Sequence, residues 1–207
     1  MLKRLGIILL IIGLAGCLRG TAPPPLIVQY VIEYPPPGGG KLSRTEALLK
    51  VERFTTDKIY AGPSMLFRKG PFQREAYHEH RWRISPGDMV TDFLRRDIRH
   101  ADLFQAVLSA RDAEETRFIL EGGVEEFLEV AEGKSRKALL VAMVTLLDLS
   151  SPDADRRVVF QKTYRCEAPF TQEGAAGLAE AMSGAMSQFS TRVIADIGQA
   201  LQTGGRR

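Results

Sequence analysis

Along several stretches of the chain, hydrophobic and polar residues alternate in the way that is typical of strands half-buried in a sheet. The first stretch, 26–34, is apolar or aromatic at every second position from Leu26 to Tyr34, and its other face is apolar enough for an interior place in the sheet. The double glycine Gly122–Gly123 indicates a bulge or a close approach of another backbone. Further strands are predicted over 47–54, 65–69, 75–84, 116–130, 137–149 and 156–168, the last two as an antiparallel hairpin, with a short strand or packed connection over 103–108.

Two other stretches repeat their apolar residues every three or four positions and predict helices. For the first helix, Ser85 is a good N-cap, Pro86 fits the first helical position and Asp88 adds negative charge to the first turn. Its predicted inner face consists of Val90, Phe93, Leu94, Ile98 and Ala101. The second helix starts after Thr171 as N-cap, and its apolar stripe consists of Leu178, Met182, Met186, Phe189, Val193, Ile197 and Leu201.

Together these elements predict an α+β fold in a single domain over 26–202. The expected architecture is a mostly antiparallel sheet of about six strands with two main helices packed on one face. Composition agrees, because 207 residues suggest one domain, and 44% hydrophobic and 26% charged residues allow a real core.

The first residues of the chain have the layout of a secretory signal peptide. Lys3 and Arg4 precede an apolar run of about ten residues over 5–14, which Arg19 and the following TAPPP close too early for a transmembrane helix. The run ends in LAGC, which resembles the lipobox of bacterial lipoprotein signals, where the cysteine thiol receives a diacylglyceryl group. An ordinary signal peptide with an incidental cysteine at position 17 is the alternative.

The lipobox resemblance implies a cleaved lipoprotein signal peptide over 1–16 and lipid attachment at Cys17. A Pro-rich tether over 17–25 then leads to the domain, and 203–207 form a flexible tail. Leu18 is not the aspartate that retains lipoproteins at the inner membrane, so the expected location is the cell envelope, at the periplasmic face of the outer membrane.

The charge balance argues against a nucleic-acid partner. The formal net charge is +3, and Lys3 and Arg4 in the leader contribute two of these charges. Nucleic-acid binding requires Lys and Arg clustered on a basic face, and the nearly neutral domain offers no such excess.

Cysteine and histidine are the first candidates for chemistry. With Cys17 lipidated, Cys166 is unpaired, and we predict a buried, inert cysteine on a strand, since a nucleophile would need an acid–base partner that the sequence does not show. His78 and His80 share one face of a strand and could bind a metal. A strong site needs three or four ligands, and His100 is the only third histidine, so we predict no metal site.

The remaining candidates do not predict an enzyme. Glu125, Glu126 and Glu129 form an acidic cluster, but alternation divides them between two faces, which favours solvated surface over a catalytic pair. The glycines at 38–40 lack the Lys-Ser/Thr of a phosphate-binding loop. No nucleophile elbow, zinc-protease motif or Ser/His/Asp set can be assembled, and no cofactor is expected.

Several motifs, taken in order, resemble the ABC-type transport auxiliary lipoprotein family. They begin with LAGC at Cys17, VQYVIEYPPP and LLKVERF, and continue with the strand, proline and helix that carry Tyr77, Trp82, Pro86 and Leu94. They end with FILEGGVEEF, which carries Leu120, Gly122, Val124 and Phe127, then ALLVAMVTLLD and the closing helix.

The family resemblance implies a role in transport without catalysis. Such lipoproteins are periplasmic partners of ABC systems with mammalian-cell-entry (MCE) domains, which move lipids or other hydrophobic molecules between the inner and outer membranes. The implied partners are the MCE-domain protein, the ABC permease and its ATPase, with a ring of subunits as a possible homo-oligomer. The sheet edges, the 35–41 loop and the long helix are then interaction surfaces, whereas Tyr77 and Trp82 belong to either core or contact.

Two other classes of function remain open from the residues. An outer-membrane assembly or envelope-integrity lipoprotein without an ABC partner would fit the same α+β body on a lipid tether. A periplasmic hydrolase would require convergent polar groups in a pocket, for which the sequence gives no support.

Overall fold

A computed structural model describes residues 26–38, 44–133 and 135–204. The predicted signal peptide, Cys17 and the tether lie outside the described residues, as do 205–207 of the predicted tail. The strands are β1 (Val28–Tyr30), β2 (Leu48–Val51), β3 (Thr55–Thr56), β4 (Ser64–Arg68), β5 (Glu75–Trp82), β6 (Ala106–Ser109), β7 (Phe118–Glu132), β8 (Ser135–Asp148) and β9 (Val158–Pro169). The helices are α1 (Pro86–His100) and α2 (Gly174–Gly204), with short 3-10 turns at Lys58–Tyr60 and Ala154–Arg156.

Three long antiparallel strands, β7, β8 and β9, form the centre of the fold. Strand β8 lies between the other two, and all five residues from Ala138 to Ala142 are buried. Consecutive burial means that both faces of the strand are covered, as in an interior strand. The predicted central strand and its hairpin with β9 are therefore confirmed.

The short strands pair with the other edge of β7 one after another. Strands β2, β3 and β4 all run parallel to β7, with Leu49 beside Phe118 at one end and Phe67 beside Glu129 at the other. Strand β6 extends the sheet beyond β2, while β5 and then β1 extend it beyond β4. The described residues thus form one mixed, curled sheet of nine strands, in which the two long antiparallel ladders hold most of the paired residues.

The N-terminal strand is shorter than the predicted 26–34, and its expected interior place in the sheet is wrong. Strand β1 lies at the sheet edge and pairs only with β5 among the described residues. Its neighbours Leu26, Ile27 and Val31 are 89%, 42% and 51% exposed. The segment leaves the sheet after Tyr30 because Ile32 turns into the core, and the prolines that follow lack the N–H groups a ladder needs.

Helix α1 starts as the sequence predicts. The Ser85 hydroxyl accepts a hydrogen bond from the Asp88 N–H at 3.3 Å and donates one to the Asp88 carboxylate at 2.6 Å. Val90, Leu94 and Ile98 of the predicted inner face are fully buried. The cap satisfies one of the N–H groups that a helix start leaves free.

Helix α2 begins later than predicted, and Thr171 is not its N-cap. The helix starts at Gly174, whose φ of +81° lies in the left-handed region that glycine tolerates. The Thr171 hydroxyl instead donates to the Glu180 carboxylate at 2.5 Å, inside the helix. The predicted stripe is confirmed, with Leu178, Met182, Met186, Phe189, Val193 and Ile197 all fully buried.

Both helices pack on the same face of the sheet and touch each other. Helix α2 lies across β8 and β9, where the ring of Phe189 meets that of Tyr164 at 5.6 Å. Trp82 is buried beneath this layer, with its ring 5.4 Å from Phe127. Each such buried side chain stabilises the fold by about 1.5–3 kcal/mol relative to exposure, so the face between sheet and helices is the main core.

The double glycine in β7 marks a close approach, while the bulge lies two residues further on. The ladder to β8 shifts between Val124 and Glu126, which leaves Glu125 as the extra residue. A Cβ at Gly122 would lie 2.3 Å from the Met143 carbonyl oxygen and 2.5 Å from the Phe54 ring. Only a residue without a side chain fits there.

We therefore expect Gly122→Ala to lower the free energy of unfolding by about 2–3 kcal/mol, because backbone and ring must both move. Gly123→Ala is the control, since its Cβ would lie 3.0 Å from the Thr55 hydroxyl and 3.9 Å from the Thr55 carbonyl oxygen, with no closer contact. Urea unfolding of both variants measures the difference. Equal losses at the two positions would contradict the close approach.

A bidentate ion pair connects the residue before β7 to the last residue of β8. The Arg117 guanidinium donates to both carboxylate oxygens of Asp148, at 3.0 Å and 2.8 Å. These hydrogen bonds outweigh partial burial and lower the pKa of Asp148 from 3.8 to about 2. Because the folded pKa lies below the unfolded one, this pair stabilises the protein above about pH 4, and the contribution is lost as the pH falls towards 2.

Arg117→Met should therefore lower the free energy of unfolding at neutral pH. Between pH 4.5 and 2, the free energy of unfolding of this variant should fall less steeply than that of the wild type. Urea unfolding across this range tests the expectation. Arg156→Met is the matched control, since the Arg156–Asp153 pair is largely exposed and such pairs contribute little. Parallel pH curves for wild type and Arg117→Met would contradict the assignment.

Candidate functional site

The segment 26–38 connects the domain to the predicted lipid attachment at Cys17. Eight residues separate Cys17 from Leu26, and at about 3.3–3.6 Å per extended residue they reach roughly 30 Å. The way in which this segment is held therefore decides how the domain would be attached to a membrane.

A buried polar cluster holds the segment against the helices. The Tyr34 hydroxyl donates to the Asp97 carboxylate at 2.6 Å and lies 3.3 Å from the Ser190 hydroxyl. The Arg96 guanidinium donates to the other oxygen of Asp97 at 2.8 Å and lies 4.5 Å from the centre of the Tyr34 ring. We call Tyr34, Arg96, Asp97 and Ser190 the N-terminal clasp.

The N-terminal clasp is buried, and the hydroxyl of its tyrosine stays protonated. Asp97 is fully buried, so its charge depends on these partners for compensation. Burial, and then the hydrogen bond to Asp97, raise the pKa of Tyr34 well above its usual range, so its hydroxyl remains a donor. The Glu33 N–H also donates to the Ser183 hydroxyl at 3.0 Å. The segment is thereby fixed to both helices.

Tyr34→Phe should lower the free energy of unfolding by about 1–3 kcal/mol, because it removes a hydrogen bond from a buried carboxylate. Thermal and urea unfolding measure the loss. Tyr30→Phe is the control, since the Tyr30 ring lies half-buried beside His80 and outside the clasp. A clasp without importance for the fold would give the two variants the same stability.

The histidines of β5 do not form a shared metal-binding face. A step of two residues along β4, from Ser64 to Leu66, matches a step of five along β5, from Arg81 to Ala76, so that the expected alternation is broken. His78 is exposed, whereas His80 packs half-buried against the ring of Tyr77, at 6.0 Å. In the ranges that the structure describes, no three His, Cys, Asp or Glu side chains come together to hold a metal.

The acidic cluster of β7 is mostly structural. Glu125 is exposed as predicted, but the expectation of solvated surface is wrong for Glu129, which is fully buried. Glu129 accepts hydrogen bonds from the Arg136 guanidinium at 2.8 Å and from the Tyr77 hydroxyl. Burial and the hydrogen bond to Glu129 raise the pKa of Tyr77 above its usual range. This cluster pins β5 to the β7–β8 hairpin.

Glu126 lies among three arginines on the other face of β7. Arg68 is 2.9 Å from its carboxylate, Arg165 3.6 Å and Arg74 3.7 Å. The three arginines occupy this carboxylate with ion pairs. It joins β4, β7 and β9 and is a poor candidate for a general base.

Cys166 is buried on β9, as the sequence predicts. Burial raises the pKa of its thiol, although the Arg192 guanidinium, 3.6 Å from the sulfur, opposes the shift. A thiol that is both covered and protonated is unreactive. Trp82 belongs to the core, and Tyr77 joins that core to Glu129.

Sequence reasoning missed the clasp and the Glu129–Arg136 pair. One signal was present, because Asp97 lies next to Ile98 on the inner face of a well-patterned helix, where a charge needs a partner. The partner residues Tyr34 and Ser190 are distant in sequence, and no local pattern connects them to Asp97.

The described part of the chain is thus an α+β module whose buried charges pair with one another to hold strands, helices and the N-terminal segment together. No helix within that part is long and apolar enough to cross a bilayer. The chain belongs to the family of ABC-type transport auxiliary lipoprotein components, whose family model matches residues 30–194. No curated protein matches the chain.

Solved structures share the fold at low sequence identity. A protein from Xanthomonas campestris is 20% identical, with a TM-score of 0.78 over 87% of this chain and 99% of its own. A hypothetical protein from Chlamydia trachomatis is 6% identical, with a TM-score of 0.53 over 74% of this chain and 96% of its own. These likenesses confirm the α+β architecture, and the family match identifies an auxiliary lipoprotein of ABC-type transport.

Proposed function

We propose that this protein is a lipid-anchored, non-catalytic component of an ABC transport system that contains an MCE-domain protein. The system would move lipids or other hydrophobic molecules between the inner and outer membranes. The family match over residues 30–194 carries the proposal, because it covers nearly the whole described domain and its family is defined by an auxiliary role in ABC transport.

The anchor is the second part of the proposal. Residues 1–16 are a signal peptide, and Cys17 becomes the lipidated first residue. Each buried methylene of a lipid chain contributes about 0.8 kcal/mol, so two or three chains hold a protein stably where one does not. The residue after the cysteine, Leu18, favours the periplasmic face of the outer membrane.

The polar chemistry of the domain supports an auxiliary role. The buried carboxylates of Asp97 and Glu129 each have a guanidinium partner and help to hold the fold. ATP hydrolysis would reside in the system's ATPase, since this sequence has no phosphate-loop motif. The domain would dock the outer-membrane end of the system, as a ring if it self-associates.

Crosslinking in intact envelopes, followed by purification of the protein and mass spectrometry, tests both parts. We expect an MCE-domain protein and an ABC permease to be recovered with the wild type and to be lost with Cys17→Ala, which removes the site of lipidation. Labelled palmitate should be incorporated into the wild type only.

Cys166→Ala is the matched control, because it removes the other cysteine and leaves the anchor intact. It should retain both palmitate and partners. Recovery of outer-membrane assembly proteins alone would refute the transport role and favour an envelope-integrity lipoprotein. Palmitate in Cys17→Ala would refute the anchor, whichever partners are recovered.

A further inference from the structure

Strand β9 has a long free edge. It runs from Val158 to Pro169 and pairs on one side with β8, while none of the strands that the structure describes pairs with its other side. Unpaired backbone groups on such an edge are a template for another strand, and proteins usually cover or interrupt them.

Helix α2 covers only part of this edge. Alternate residues of an antiparallel edge strand direct their N–H and C=O groups away from the sheet. The Arg192 guanidinium donates to the Arg165 carbonyl at 2.8 Å, and the Gln188 amide donates to the Glu167 carbonyl at 3.3 Å. These contacts show that odd-numbered residues point outwards here.

The same alternation leaves Gln161 and Thr163 with outward backbone groups that α2 does not cover. Both residues are exposed. Just before them, Val158 and Val159 are 51% and 39% exposed. We call residues 159–163 the open edge, because they combine free backbone groups with apolar surface.

A groove lies between the open edge and α2. It has a volume of about 420 Å³ and is lined by Lys162, Thr163, Tyr164, Arg192, Ala195 and Asp196. Asp196 is already engaged, since the Tyr164 hydroxyl donates to it at 2.6 Å and the Lys162 ammonium lies 2.9 Å away. Desolvation opposes its ionisation, but these contacts outweigh it and lower the pKa of Asp196. The groove is thus lined by two cationic side chains, Lys162 and Arg192, and by one carboxylate, which leaves a positive excess.

The strand itself carries the same sign. Between Val158 and Pro169 the strand carries Lys162 within the open edge and Arg165 after it, against one acidic residue, Glu167, whose carboxylate lies 2.7 Å from the Arg165 guanidinium. An added strand with acidic side chains would therefore be electrostatically matched, as in interfaces whose potentials are complementary.

A second copy of β9 fits this edge poorly. The antiparallel register that uses both open residues would place Gln161 opposite Thr163 of the other copy, and Lys162 opposite Lys162. Like charges directly opposite each other destabilise a strand pair. The charge pattern therefore favours a different polypeptide.

We propose that the open edge of β9 binds an extended, acidic segment of a partner protein as an added strand. Main-chain hydrogen bonds to Gln161 and Thr163 would provide affinity, and acidic side chains beside Lys162 and Arg192 would provide selectivity. This interaction does not depend on the transport role or on the lipid anchor.

Fluorescence anisotropy with the full lipidated protein in detergent tests the proposal. The probe is a labelled eight-residue peptide that alternates valine or threonine with glutamate. Thr163→Pro removes the outward N–H without removing a bond to β8, and should weaken binding at least tenfold. Thr163→Val keeps the N–H and should bind like the wild type.

Two peptide controls leave the protein unchanged, so the test does not depend on the folding of Thr163→Pro. N-methylation of alternate peptide amides should abolish binding, and replacement of glutamate by glutamine should weaken it and reduce its salt dependence. Equal binding of the methylated and unmethylated peptides would overturn the proposal. Self-association of the wild type that is lost in Thr163→Pro would also overturn it, by assigning the edge to a second copy.

Discussion

The burial of β8 on both faces is the constraint on which the rest of the structure depends. A strand with five consecutive buried residues cannot lie at an edge or face water, so it needs a partner strand on each side and a layer over each face. Strands β7 and β9 supply the pairing, and α2 covers one face with a continuous apolar stripe. With its β8 side occupied, β7 offers only its outer edge, and there the short strands β2, β3 and β4 pair in succession. The mixed character of the sheet follows from this division of the two edges of β7.

The fully buried carboxylates in this apolar core each link two separate parts of the structure. Asp97 and Glu129 are fully buried, and each is neutralised by an arginine and hydrogen-bonded by a tyrosine from a different element. An unpaired charge at either position would be strongly destabilising, whereas a paired one fixes the relative position of two elements. The clasp around Asp97 does so for the N-terminal segment. In the proposed lipoprotein, a force on the tether would therefore be borne by both helices as well as by the three residues of β1.

Local patterns were enough for the helices and the long hairpin, and they failed where distant residues meet. Ser85 and the stripe from Leu178 could be predicted because capping and 3.6-residue periodicity are properties of neighbouring residues. The same reasoning placed 26–34 in the interior of the sheet. Alternation shows which residues are apolar, but it does not show whether a strand has a pairing partner on both sides. Regular strand alternation predicted His78 and His80 on one face. The irregular pairing of β5 with β4 breaks that alternation, and no pattern in the sequence indicates it. The partners of Glu129 were missed for a related reason, as Tyr77 reaches it from another strand.

Two free edges of the described sheet, those of β1 and β9, are suited to different tasks. Strand β1 is followed inwards by β5, β4, β7, β8 and β9, so five strand spacings separate the two edges along the sheet. At about 4.8 Å each, that is roughly 24 Å measured along its curve. The β1 end is apolar, adjoins the predicted tether and is fixed by the clasp, which suits attachment to a membrane. The β9 end is positively charged and half-covered by α2, which suits recognition of an acidic strand. Because the whole sheet lies between them, a partner bound at β9 would leave the β1 edge uncovered, and an anchored domain could hold its membrane and its partner at once.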